Sequence, residues 1–160
     1  MLINQENAGV AEARNHGIVE ARGKWIVFVD SDDYLVDNGL KRIYNVIKQY
    51  PEAELVRYYS SYSTNPHDEV NDTINFKGYA EKLLRNEGYP AFIWTFAYRK
   101  EFLREHGISF KHLHSSEDGL FIATIYLHNP RVVSTRADIY IGMCCAKILR
   151  RVEGTWLTDA

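Results

Sequence analysis

The sequence predicts an α/β fold in which a mostly parallel sheet is flanked by helices. Amphipathic helical patterns alternate with short apolar runs along the chain, an order typical of a covered sheet. The clearest run, Trp25 to Val29, is continuous and rich in β-branched and aromatic residues, as expected of a strand buried on both faces. In such sheets the ligand site lies at the carboxyl ends of the strands, and Asp30 to Asp33 follow this strand directly.

The first 60 residues are predicted to contain two helices and two strands. Asn7 and Asp37 are the candidate caps of the helices, because short polar side chains accept hydrogen bonds from the unpaired amides of a helix start. The second helix is expected to bury an apolar stripe formed by Leu40, Ile43, Tyr44 and Ile47. In chain order, the predicted elements are a helix over residues 8–22, a strand over 25–29, a helix between 37 and 50 and a strand over 55–59.

The rest of the chain continues the α/β order after a polar stretch, residues 60–75, which is predicted to be a surface excursion. A later helix is expected to turn one set of side chains inward, namely Leu120, Phe121, Thr124, Ile125 and Leu127. The predicted elements are a helix around 79–84, an aromatic strand over 92–98, a helix over 99–106 closed by Gly107, a helix over 117–128, and strands over 132–133 and 139–141.

Composition and charge restrict the classes of function open to this chain. At 160 residues, 46% hydrophobic and 25% charged, it has the make-up of a single soluble domain. A net charge of −2 creates no field toward nucleic acid, so no nucleic-acid partner is expected. The longest strongly apolar run is far shorter than the roughly 20 residues of a transmembrane helix, and no signal peptide opens the chain. We expect a cytoplasmic protein without a transmembrane segment, free or peripheral at the inner face of the membrane.

The acidic cluster after the first strand is the strongest chemical signal. In extended backbone, Asp30 and Asp32 would point the same way and present two carboxylates to one place. Carboxylate oxygens suit Mg²⁺ or Mn²⁺, ions that take their remaining ligands from water and substrate phosphates. The alternative is a plain turn that caps the following segment. The mutual repulsion of the carboxylates, Asp33 included, favours a neutralising cation over that alternative.

Several motifs resemble the family 2 glycosyltransferases. Those of the first half are Asn7-Ala-Gly9, Ala13-Arg-Asn15, Gly17, Ala21-Arg-Gly23 and Ile26 to Asp33. Those that resemble the acceptor-side half are Trp94, Tyr98 to Leu103, and Ser116-Glu-Asp118 with Gly119 to Phe121 after it. The resemblance covers residues 4–141 and identifies 1–160 as a single, partial catalytic domain with a divergent tail over 142–160.

The resemblance implies a GT-A-like fold, that of the nucleotide-diphospho-sugar transferases. It implies that Asp30 and Asp32 hold Mg²⁺ or Mn²⁺ and that Asp118 is the general base. The implied reaction moves a sugar, with inversion, from a nucleotide-diphosphate donor to a hydroxyl of a glycan or lipid-linked acceptor, in the synthesis of cell-surface polysaccharide or glycan. In-line displacement needs a base on one face and charge neutralisation at the leaving diphosphate, so two separate acidic sites are consistent with it.

Each further candidate residue has a structural alternative. Arg14 would bind the nucleotide or its phosphates, or else form a surface ion pair. Trp94 would stack on an acceptor sugar, or else belong to the core. Glu117 is the second candidate acceptor contact, although it and Asp118 would also favour the start of a helix by their charge alone. His112 and His114 are considered as a further metal or acceptor contact, and the alternative is that they are a solvated pair of histidines.

The chain departs from the family pattern at both ends. It is expected to lack the first strands of a GT-A domain, so the nucleotide base and ribose would have no residues here. The sheet edge left open would be covered by a partner chain or a second copy. The tail over 142–160 lacks the aromatic and basic ending expected of the family, and its adjacent Cys144 and Cys145 fit neither a disulfide framework nor a zinc site.

Two other functions are consistent with parts of the sequence. An apolar strand that runs into Asp-x-Asp is also the signature of haloacid-dehalogenase-like phosphatases, but those have a small Thr or Val soon after the second Asp, where this chain has Asp33 and Tyr34. A catalytically inactive, truncated fragment or interaction module is the other alternative. Nucleotide binding separates it from the enzyme.

Overall fold

The computed structural model describes residues 2–60, 92–113 and 115–142. The predictions for the 61–75 excursion, the helix around 79–84, His114, the two cysteines and the tail beyond Gly142 lie outside these residues. Within them, the α-helices are α1 (Val10–Glu20), α2 (Gly39–Gln49), α3 (Lys100–Glu105) and α4 (Glu117–Leu127). The strands are β1 (Trp25–Val27), β2 (Tyr34–Leu35), β3 (Leu55–Ser60), β4 (Phe96–Arg99) and β5 (Val132–Ile141), and a 3-10 helix, Ile93–Thr95, precedes β4.

The strands form one sheet in the order β1-β4-β3-β5-β2. β3 and β5 run parallel, whereas β1–β4, β4–β3 and β5–β2 are antiparallel. The expected α/β class is confirmed, but the described part of the sheet is mixed rather than mostly parallel. An apolar run shows that a strand is buried and not which way it runs, because either direction buries both faces equally well when helices cover the sheet. That a partner chain or second copy covers the edge next to β1 stays a prediction.

The central strands are buried on both faces. Leu55 and Tyr98 pack with residues of α1, α3 and α4, whereas their neighbours Val56 and Ala97 pack on the opposite side. Successive residues of a strand point to opposite faces, so one continuous apolar run serves two cores. Ile43 of α2 belongs to the second core, together with Tyr140 of β5. This layering explains the runs that identified the strands.

Several sequence-based details are corrected by the structure. Asp37 does not cap α2, which starts after Asn38 in the left-handed conformation (φ 60°). Leu40 and Tyr44 were expected inside and are exposed, because Gly39 and Ile43 are the residues of this helix that are buried. Leu120 and Leu127 of α4 are likewise exposed, Leu127 by 84%. Which stripe of a helix is buried depends on the angle at which the helix meets the sheet, which its own spacing does not contain.

Two basic residues at the junction of β4 and α3 bond to other parts of the fold. Lys100 donates through Nζ to the carbonyls of Val19 (2.9 Å) and Ala21 (2.6 Å) at the C-terminal end of α1. Its positive charge also interacts favourably with the helix dipole at that end. Arg99 donates through Nε to the carbonyl of Ala53 (2.8 Å) and lies over the Trp25 ring. These residues of the 98–103 motif are structural.

None of the helices among the described residues has the length and hydrophobicity that a membrane-spanning helix needs.

Candidate functional site

The acidic cluster forms a turn at the end of the first strand. β1 ends at Val27, two residues earlier than predicted, and the amide of Asp33 donates to the carbonyl of Asp30 (3.1 Å). The backbone is therefore folded over Ser31 and Asp32 rather than extended, which removes the argument that a period of two aligns Asp30 with Asp32. Asp32 is exposed and the Asp30 side chain is 39% exposed, so both carboxylates remain open to water and ligand.

A buried tyrosine of β5 is bonded to this acidic turn, defined as Asp30 to Asp33. The hydroxyl of Tyr140 donates to Oδ2 of Asp33 (2.5 Å) and accepts from the amide of Asp30 (3.1 Å). The Tyr140 ring stacks on Trp94, with centroids 4.7 Å apart and planes 13° apart. Tyr140 was not among the sequence-based candidates. Its position at the end of an apolar strand resembles any core aromatic, so no local signal marks it.

Trp94 lies in a short stack of rings next to the turn. Phe92 stacks on its other side, with centroids 4.9 Å apart. Trp94 is partly buried against the second core, in agreement with the structural alternative, and contacts Tyr140, which bonds the acidic turn. The structure therefore places this candidate beside the acidic turn and leaves its acceptor role untested.

Arg14 brings the two predicted acidic regions together. Its Nη1 lies 2.5 Å from Oδ1 of Asp118 and 3.1 Å from Oε1 of Glu117, and its Nη2 lies 3.6 Å from Oδ1 of Asp30. The Arg14 side chain is only 17% exposed, so these charges interact in a partly desolvated space. Regions almost 90 residues apart in the chain thus meet at one guanidinium. We call these four residues the Arg14 cluster.

The neighbouring Asn15 fixes α1 against the segment before α4. Its Nδ2 donates to the carbonyl of Phe110 (3.0 Å), and its Oδ1 accepts from the amide of Phe110 (2.8 Å). The Phe110 ring stacks face to face on Phe121 of α4 (4.0 Å, 2°) and lies 5.3 Å from the Arg14 guanidinium. Sequence reasoning missed Asn15 and Phe110 as site-building residues. The Ala13-Arg-Asn15 motif held a signal for Asn15, because that residue is adjacent to Arg14.

Burial shapes the electrostatics of both acidic regions. Burial raises the pKa of Asp118; Arg14 opposes the shift, and the charges of Glu117 and Asp30 add to it. The pKa of Asp30 is also raised, first by burial, while Arg14 opposes the rise and Asp33 and Asp32 reinforce it. The charge of Asp30 thus contributes to the raised pKa of Asp118, and Arg14 limits the rise in the pKa of both carboxyls.

The carboxylates of the acidic turn fit a hard dication that shares its shell with a ligand. Within residues 2–60, 92–113 and 115–142, no group of three or more His, Cys, Asp or Glu is arranged to hold a metal. Asp33 gives one oxygen to Tyr140, while the open side chains of Asp30 and Asp32 offer the oxygen ligands that Mg²⁺ and Mn²⁺ prefer. Such an ion would take its other ligands from water or phosphate. The exposed His112 instead lies 3.4 Å from Glu12.

Comparison with known proteins gives the class of this protein. The fold and the site define an α/β domain that has an acidic turn after its first strand and a second acidic pair at the start of a helix. The family described as "Glycosyl transferase family 2" matches residues 1–107. The chain therefore belongs to this glycosyltransferase family. The matched residues include Arg14 and the acidic turn and end before Asp118. Family membership excludes the phosphatase alternative.

Individual relatives agree with the family and with the GT-A-like fold. The chain is 24% identical over 156 residues to glycosyltransferase GlyA of Streptococcus pneumoniae, covering 88% of this chain and 22% of that protein. It is 28% identical over 148 residues to a poly(ribitol-phosphate) beta-glucosyltransferase of Bacillus spizizenii, covering 84% and 21%. The chain thus spans about a fifth of the length of these relatives.

The solved structure of S. aureus TarS 1–349 has a similar fold, with a TM-score of 0.69 at 21% identity, over 96% of this chain and 46% of that one. The same TarS fragment has been solved with UDP-GlcNAc, with a TM-score of 0.66 at 23% identity, over 88% of this chain and 40% of that one. At this identity the likeness concerns the fold, and it confirms the expected GT-A-like class.

Proposed function

We propose that this chain carries the catalytic part of an inverting glycosyltransferase that moves a sugar from a nucleotide-diphosphate donor to an acceptor hydroxyl. The observation that carries the proposal is the Arg14 cluster, in which the acidic turn and Asp118 contact one side chain. Inverting transfer needs a donor-side anion binder and an acceptor-side base at a short distance from each other. The cluster supplies carboxylates for both from opposite halves of the chain.

Asp118 is the proposed general base. It stands in the first turn of α4 with its side chain 25% exposed, and burial raises its pKa, which makes its carboxylate a better proton acceptor. The ion pair with Arg14 opposes that shift and favours the ionised carboxylate. Glu117, the candidate acceptor contact, is bonded to Arg14 instead, and we assign it to orienting that side chain.

Asp30 and Asp32 are the proposed binders of the donor diphosphate through Mg²⁺ or Mn²⁺. When bound, the dication would neutralise charge on the leaving nucleotide diphosphate. Arg14 lies next to Asp30, so its guanidinium is also positioned to meet a phosphate that approaches the turn. Since the described residues do not arrange three or more ligating side chains around one point, we propose an ion that is held jointly with the donor phosphates.

The substrates proposed are those of cell-surface polysaccharide or glycan synthesis. The support is the relative named for poly(ribitol-phosphate) glucosylation and the UDP-GlcNAc held by the TarS fragment. The acceptor is then a glycan or lipid-linked glycan hydroxyl, for which the stack of Phe92 on Trp94 offers an aromatic surface beside the site. A uridine diphosphate sugar is the donor class to test first.

Titration calorimetry of the full chain with Mn²⁺ and UDP tests this function. Binding of UDP that requires Mn²⁺, and that Mn²⁺ chelation abolishes, is the expected result. Nucleoside monophosphates lack the second phosphate and are expected to bind far more weakly. A folded sample that releases no heat with any nucleoside diphosphate would instead support the inactive interaction module.

A further inference from the structure

The Tyr140 hydroxyl makes two hydrogen bonds with the acidic turn. It donates its proton to Oδ2 of Asp33 (2.5 Å) and uses a lone pair to accept the amide of Asp30 (3.1 Å). The first bond is charge-assisted and the second satisfies a backbone donor. One side chain therefore bonds both ends of the turn, which is also closed by the bond from the Asp33 amide to the Asp30 carbonyl.

The hydroxyl is mounted on a rigid part of the molecule. Tyr140 is buried in the second core and its ring stacks on Trp94. Its backbone lies opposite Leu35 in the β2–β5 pair, which anchors the chain just after the turn. The position of the hydroxyl is thus set by the sheet, while the turn it holds is on the surface. A strand-borne hydroxyl can hold such a turn more precisely than loop residues can.

The bonds of Tyr140 also divide the three carboxylates of the turn. Asp33 is occupied by the hydroxyl, whereas Asp32 is exposed and Asp30 is partly open. Asp30 and Asp32 are thus the two carboxylates of the turn that the Tyr140 hydroxyl does not bond, and Oδ1 of Asp30 lies 3.6 Å from Nη2 of Arg14.

We propose that Tyr140 is a positioning residue that holds the acidic turn in the conformation that binds the donor diphosphate. This inference rests on the proposed function for what the turn binds, and on the geometry alone for how the turn is held. A phenylalanine at this position would preserve the stack on Trp94 and the core packing. Only the two bonds to the turn would be lost.

The test compares Tyr140→Phe with Tyr98→Phe in the full chain. Tyr98 is equally buried, and its hydroxyl donates to the carbonyl of Ile93 (2.7 Å), away from the acidic turn. Each variant loses one buried hydroxyl, so a general loss of stability affects both. Two quantities are measured: the amide hydrogen exchange rate of Asp30 without ligand, and the affinity for UDP in saturating Mn²⁺.

Tyr140→Phe is expected to speed exchange at Asp30 and to weaken UDP binding by about tenfold, the usual size for loss of an outer-shell partner. Tyr98→Phe is expected to change neither by more than about twofold, since the bond it loses is the one to the Ile93 carbonyl. Equal UDP affinity in Tyr140→Phe and the unaltered protein would overturn the inference. Unchanged exchange at Asp30 would do so as well.

Failure of the proposed function looks different. If the unaltered protein binds no UDP, the function is wrong, and the exchange rate of Asp30 alone then decides whether Tyr140 holds the turn.

A second pair of variants covers the case in which Tyr140→Phe does not fold. Asp33→Asn keeps an oxygen that accepts from the Tyr140 hydroxyl, whereas Asp33→Ala removes it. The alanine variant is expected to lose clearly more UDP affinity than the asparagine variant. Equal losses would show that the bond to Tyr140 does not position the turn.

Discussion

The two acidic regions of this protein are fixed in opposite ways. The acidic turn is open to solvent at Asp32 and is hydrogen-bonded to the hydroxyl of the buried Tyr140. Glu117 and Asp118 are more enclosed, at 18% and 25% side-chain exposure, and form ion pairs with Arg14. The open region suits a ligand that brings water and phosphate with it. The enclosed region suits a proton acceptor, because desolvation raises the pKa of its carboxyl.

The largest effect that would test this comparison is expected from Asp118→Asn. Loss of the proposed base should lower the rate of sugar transfer by roughly 10²- to 10⁴-fold, the usual contribution of general base catalysis. Affinity for UDP and Mn²⁺ should stay within about twofold, since the base acts on the acceptor side. Transfer from a panel of UDP-sugars and calorimetry with UDP measure the two quantities. Glu52→Gln, an exposed site on the turn before β3, serves as the control.

Asp32→Asn is expected to act on the other region. Removing one carboxylate of the acidic turn should weaken Mn²⁺-dependent UDP binding by roughly 10- to 100-fold, at least as much as loss of an outer-shell partner. Chelation of Mn²⁺ should weaken UDP binding by the unaltered protein and have little further effect on the variant. Equal losses of UDP affinity in Asp32→Asn and Asp118→Asn would contradict the division into donor and acceptor regions.

Arg14→Gln is expected to link the two regions through pH. Arg14 opposes the rise in the pKa of Asp118, so its removal moves that pKa further upward. The base works in its ionised form, so activity is lost on the acid side, and that limb of the kcat/KM profile should move to higher pH in the variant. Arg104→Gln removes an exposed ion pair with Glu101 and should leave the profile in place. An unmoved acid limb in Arg14→Gln would show that the pair does not control the base.

The smallest effect concerns the frame beneath the cluster. Asn15→Ala removes both bonds to the Phe110 backbone and should lower the free energy of unfolding by about 1–3 kcal/mol. Urea denaturation measures the change. Asn45→Ala, at an exposed position of α2, should cost less than about 0.5 kcal/mol. Similar values for the two variants would remove Asn15 from the account of how α1 is joined to the segment before α4.

The elements and acids that the sequence predicted well are those that depend on local pattern. The run before Asp30 was correctly predicted as a strand, but it is shorter than predicted, lies at the edge of the described sheet and buries only Ile26 fully. The helix that starts at Glu117 was predicted to within one residue. The directions of the strands were not, because Trp25 to Val27 pairs with β4 across more than 70 residues of chain. Local spacing also gave no reason to place Leu40 outside and Ile43 inside.

The sequence by itself determined the family, the position of the acidic turn and the identity of the candidate base, because these follow from residue types at fixed short spacings. Only the tertiary structure decided that Arg14 joins the two acidic regions and that Tyr140 holds the turn. The contact of Arg14 with Asp118 and that of Tyr140 with Asp33 span 104 and 107 residues, where chain connectivity places no limit on distance. Packing of α1 and β5 against the rest of the fold provides that limit.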